Sequence, residues 1–117
     1  MTVEADVIQF LKARLVVPVS ANVPKDRPAR FVTVERVGGA FEAFRDFPQL
    51  AIQSWGQSTS DAASLADEVR TLLPRLVSLP NVARVTVGST YNYPDMDSGQ
   101  ARYQTVCDLT VKAEYAV

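Results

Sequence analysis

The sequence predicts an α+β domain: a single, mainly antiparallel sheet of about five strands with two helices packed on one face, in the order α-β-β-β-α-β-β. Three observations carry this. Two segments place apolar residues three to four apart, the helical period. Several others alternate apolar and polar residues, the period of a half-buried strand. The chain has 117 residues, enough for one core and too few for two comfortable ones, so one domain over residues 1–117 is expected.

The first helix is expected from Thr2. Val3, Val7, Phe10, Leu11 and Leu15 form its apolar stripe, and Glu4 and Asp6 fall in the first turn, where acids complement the helix dipole. It should stop by Val17, because Pro18 disfavours helical backbone in its predecessor. Val19–Val23, bounded by Pro18 and Pro24, reads as an edge strand. Arg30–Val37 alternates, and Gly38-Gly39 ends it. Ala40–Phe47 carries Phe41, Phe44 and Phe47 at helical spacing and reads as a helical turn or an ordered loop. Gln49–Gly56 is the next strand, with Leu50 and Ile52 inward and Gln49, Gln53 and Trp55 on the other side.

Ser58, with Asp61 three residues on, caps a long helix whose stripe is Ala62, Leu65, Ala66, Val69, Leu72, Leu73 and Leu76. Pro74 should end or kink it near Leu73. Asn81–Thr90 is a strand, Tyr91–Gln100 a loop, and Arg102–Tyr115 the clearest strand, with Thr105, Cys107, Leu109, Val111 and Ala113 inward. Both helices then cover one sheet face. The other face carries Phe31, Thr33, Glu35, Gln53 and Trp55, a mixed polar and aromatic surface suited to a partner.

Composition narrows the chemistry. The chain has no histidine and one cysteine, which removes His-based catalysis, internal disulfides and multi-Cys zinc sites. A net charge of −1 gives no electrostatic reason to expect nucleic-acid binding. No apolar run reaches the roughly 18–20 residues of a membrane span, and the charged N-terminal stretch resembles neither a signal nor a transit peptide. No metal, cofactor or catalytic residue is expected.

Cys107 falls at an inward strand position and reads as a core residue. Asp95 and Asp97, beside Tyr91 and Tyr93, could form an acid–base or metal pair, but turn chemistry explains Asp and Gly there equally well. Residues 25–45 carry Lys25, Arg27, Arg30, Arg36 and Arg45 against Asp26, Glu35 and Glu42; this reads as a solvated surface or a charged subunit contact. Gly38-Gly39 matches no phosphate-binding loop. The three phenylalanines are either core plugs or a docking patch.

Residues 28–73 resemble the tail terminator proteins of long, non-contractile-tailed bacteriophages of actinobacteria. The resemblance rests on Arg36-Val37-Gly38-Gly39 closing a strand, an aromatic and Arg-containing loop, a strand ending in Trp55, and the helix start Ser58–Leu65. Residues 91–113 are similar to that family's closing loop and strand, through Asp97, Gly99, Arg102 and Tyr103. The resemblance implies a structural subunit with no catalytic residues. Six copies would form a ring that caps the head-proximal end of the tail tube, stops its polymerisation and joins it to the head connector. Its partners would be itself, the tail tube protein and the connector protein, with DNA passing through the lumen unbound. Its place would be the virion, after the host cytoplasm. Interface candidates are Arg36, Gly38, Gly39, Phe41, Phe44, Arg45 and Trp55 on one stretch, and Tyr91, Tyr93, Asp95, Asp97 and Arg102 on the other. Competing readings are another head–tail joining protein and a small ligand-binding or enzymatic domain built on the Asp95/Asp97 loop. A sequence-independent nucleic-acid binder is the most distant.

Overall fold

The computed structural model describes residues 2–112. Helix α1 spans Val3–Lys12, with the Thr2 hydroxyl accepting from the Ala5 amide at 3.2 Å. It buries Val7, Phe10 and Leu11. Helix α2, Thr59–Leu72, starts at the expected Ser58 cap, whose hydroxyl accepts from the Asp61 amide. It buries Ala62, Leu65, Ala66 and Val69, and a 3-10 turn over Leu73–Ser78 continues the stripe with Leu73 and Leu76. Pro74 sets that change, since it cannot donate to the α-helical ladder.

Both helices lie on one face of a mixed, mainly antiparallel sheet of seven strands. These are β1 (Val19–Ser20), β2 (Phe31–Gly38), β3 (Phe41–Glu42), β4 (Arg45–Asp46), β5 (Gln49–Gly56), β6 (Val82–Asn92) and β7 (Ala101–Lys112). β2, β5, β7 and β6 are neighbours in that order, each antiparallel to the next. β1 lies at the edge, as expected, but holds two residues and runs parallel to β2.

The main departure from expectation is residues 40–47, which form neither a helical turn nor a loop. β3 continues the line of β2, and β4 leads into β5, so the four make one long ribbon with its turn at Ala43-Phe44. β4 pairs with the far end of β7 through Arg45↔Lys112 and Asp46↔Val111. That non-local pairing overrides the helical spacing of the phenylalanines. The ribbon kinks where Val37 is bulged out of register and where Pro48 interrupts the opposite side. Other boundaries move less. β6 extends to Asn92, so the loop is residues 93–100. β7 ends at Lys112 within the described residues, and the expected positions 113–115 lie outside them.

The core lies between helices and sheet. Val32, Val34, Leu50, Ile52, Cys107 and Leu109 meet Val7, Leu11, Leu65, Val69 and Leu76 there. Each such side chain contributes about 1.5–3 kcal/mol of transfer free energy, as an upper estimate. Cys107 is fully buried, as its strand position predicts.

Candidate assembly surfaces

The interface candidates fall at opposite ends of the strands. β5 runs from Gln49, beside the ribbon's kink, to Trp55 and Gly56, which pair with Arg102 and Ala101 at the start of β7. The molecule measures 46 × 25 × 25 Å.

At the ribbon end, Arg36 fastens the two sides together. Its guanidinium meets Asp46 through Nη1–Oδ2 at 2.6 Å and Nη2–Oδ1 at 2.8 Å, and its Nε donates to the Gly38 carbonyl at 3.0 Å. This hydrogen-bonded pairing holds the Asp46 carboxyl below the usual carboxylate range and raises Arg36, although partial burial opposes both shifts. The chain turns into β3 at Gly39, whose φ is +103°. A Cβ there would sit 1.8 Å from the Phe47 carbonyl oxygen, so only glycine fits. Beyond this clamp the ribbon exposes Phe41 (67 %) and Phe44 (71 %), with Glu42 and Arg45 also on the surface. Phe41 borders a groove of about 920 Å³ between α1, the ribbon and the turn before β6, lined also by Phe10, Arg36, Leu79 and Val82.

At the loop end, Asp95 works within its own turn. It accepts from the Ser98 hydroxyl at 2.6 Å and from the Ser98 and Asp97 amides. The Ser98 bond is the largest cause that keeps its carboxyl below the usual range. Gly99 (φ +74°) closes the turn, donating to the Asp95 carbonyl at 2.8 Å. Arg27 crosses from a distant segment to Gln100 Oε1 (2.9 Å) and Ser98 Oγ (3.2 Å). The fixed turn carries Met96, 91 % exposed, and Asp97 on the surface. Asp95 and Asp97 are therefore turn and surface residues here, and the 920 Å³ groove lies at the other end. Among the described residues, no three His, Cys, Asp or Glu side chains gather to hold a metal ion.

Trp55 corrects an expectation. The sequence puts it, with Phe31 and Thr33, on an open sheet face, yet all three are buried. Phe31 stacks on Trp55 at 5.1 Å, Trp55 Nε1 donates to Thr33 Oγ1 at 3.0 Å, and the guanidinium groups of Arg102 (4.8 Å) and Arg27 (5.4 Å) lie over the indole. Arg102 also faces the Tyr93 ring at 4.7 Å and donates from Nε to the Tyr93 carbonyl. Trp55 thus supports the loop from below, while Tyr91 and Tyr93 stay partly exposed in an edge-to-face pair. A line of side-chain hydrogen bonds crosses this face. Gln104 donates to Tyr91 Oη, Gln53 donates to Gln104 Oε1 and Glu35, and Thr33 donates to Gln53.

Sequence reasoning missed Met96 and the Arg27 crossing. Met96 had a signal, an apolar residue at the centre of an Asp-Pro-Gly loop. Arg27 had none, because its partners lie 71 and 73 residues away.

The chain is thus a two-layer α+β domain, helices on one face of a mainly antiparallel sheet, with dissimilar exposed groups at the two sheet ends. No known protein-family profile matches the sequence, and no curated protein matches it. No helix among the described residues is long and apolar enough to cross a membrane.

Proposed function

We propose that the chain is a structural assembly subunit that forms a ring of like subunits, in the manner of a phage tail terminator. On this reading six copies cap the head-proximal end of a tail tube, stop its growth and present a face to the head connector. The carrying observation is the exposed Phe41/Phe44 ribbon tip at one sheet end and the fixed Tyr93/Met96 loop at the other. A closed head-to-tail ring, or a subunit meeting two different partners, needs dissimilar patches of this kind. Aromatic and Met side chains held on prebuilt turns make good anchors, since little ordering entropy is lost on docking.

Native mass spectrometry of the purified chain tests the ring: a discrete species of six 12.8 kDa copies is expected. Loss of the gene should give tails of uncontrolled length. A chain that stays monomeric and never joins tail tubes overturns the reading. Heads that leak without tails, with tail length unchanged, would instead assign it to head completion.

A further inference from the structure

We infer that copies join edge to edge, with β6 of one copy lying antiparallel to the outer edge of the β2–β3 line of the next. This rests on the ring reading above and names the contact that would build it. The two edges are the open ones. β6 is an edge strand of 11 residues, and its outer side has no strand partner among the described residues. Long edges are normally blunted by proline, lysine, brevity or bulges. β6 has no proline or lysine and one charge, Arg84; of these devices it carries only bulges, at Val82/Arg84 and Val87/Thr90. At the opposite side, two-residue β1 covers only Val32 and Thr33, which leaves Arg36 to Glu42 without a strand outside it among the described residues.

Strand sense and height agree. β3 runs antiparallel to β4, β4 to β7, and β7 to β6. Hence β3 and β6 run in opposite directions, and a second copy related by rotation about an axis along the strands meets the first antiparallel. Phe41, Asp46, Val111 and Val82 form one row across the sheet. Phe41 of one copy therefore meets Val82 of the next at the same height, on the helix-bearing face.

The charges agree as well. Glu42, Arg45 and Lys112 form the adjacent row on the opposite face, and Arg84 pairs with Thr110, two residues from Lys112 and so on that same face. Glu42 and Arg84 are both exposed, and neither has an ion-pair partner among the described residues. Across the join they become diagonal neighbours at about 7–8 Å between Cα atoms, a distance two long side chains span.

The test combines charge reversal with cross-linking. Glu42→Arg and Arg84→Glu should each weaken ring formation, shifting the assembly midpoint on the order of tenfold, and the double reversal should restore it. In a Glu42→Cys/Arg84→Cys chain, a short bifunctional thiol cross-linker should give a ladder of multimers on a denaturing gel, which neither single variant gives. Circular dichroism checks that each variant folds. A ring that survives both reversals undiminished and yields no ladder overturns the join while leaving the ring standing. A wild-type chain that never leaves the monomer overturns both.

Discussion

Arg36 and Asp46, ten residues apart, clasp the ribbon from its two sides with paired N–H···O bonds of 2.6 and 2.8 Å. Asp46 titrates below its ordinary value of 3.8 because of that contact. A carboxyl with a depressed folded pKa stabilises the fold above the unfolded pKa, and the contribution disappears as pH falls through the folded value. Both side chains are partly exposed, so the effect is about 1 kcal/mol. Urea midpoints of wild type and Asp46→Asn should therefore differ at pH 6 and converge as the pH falls below 3.8 and through the lowered folded value. A constant difference across that range would refute this. The matching contribution of Arg36, whose pKa is raised, would be lost only at strongly alkaline pH.

Gly39→Ala should destabilise by about 2–3 kcal/mol, because the added carbon collides with the Phe47 carbonyl at a positive φ. Gly38→Ala serves as control: its nearest neighbour, Gln49 Oε1, is 3.8 Å away. Equal thermal midpoints for the two variants would contradict the geometry.

Trp55 is the single tryptophan and is 2 % exposed, so native fluorescence reports on the loop end alone. Arg102→Ala opens the indole on one side and should shift its emission to the red with little loss of stability. Trp55→Phe removes the bond to Thr33 and should cost about 1–2 kcal/mol. An unshifted spectrum in Arg102→Ala would mean that the guanidinium does not shield the ring.

The Cys107 thiol is pushed up to about 11, first by burial and then by the nearby Asp108 charge. At pH 8 it should react with a thiol reagent only as fast as the fold opens, and at the model-thiol rate in urea. Prompt labelling in buffer would show that β7 is more open than described.

The helices and the four long strands were legible because their patterns are local. The Ser58 cap, the Leu65–Val69–Leu76 stripe and the β7 alternation each specify one environment per residue. The ribbon was not, because Arg45 and Asp46 become strand only by meeting Lys112 and Val111, some 65 residues away by the pairing register. The burial of Trp55 is not legible for a related reason. Alternation assigns it correctly to the face opposite Leu50, but nothing local says that Arg27 and Arg102 will cover that face. The candidate residues at the two ends were found as composition, an aromatic ribbon and an aromatic–acidic loop. Their separation along one sheet required the register.

The kink at Val37–Gly39 and Phe47-Pro48 sets where the chain tolerates change. Everything on the core side of it is bound into the packed layers, whereas Glu42–Arg45 lies on the surface, tied back through β4 and the Arg36 clasp. A peptide inserted between Ala43 and Phe44 would extend the ribbon without disturbing a buried side chain. The same exposure lets the tip's sequence drift to suit a different partner while the domain beneath it keeps its stability.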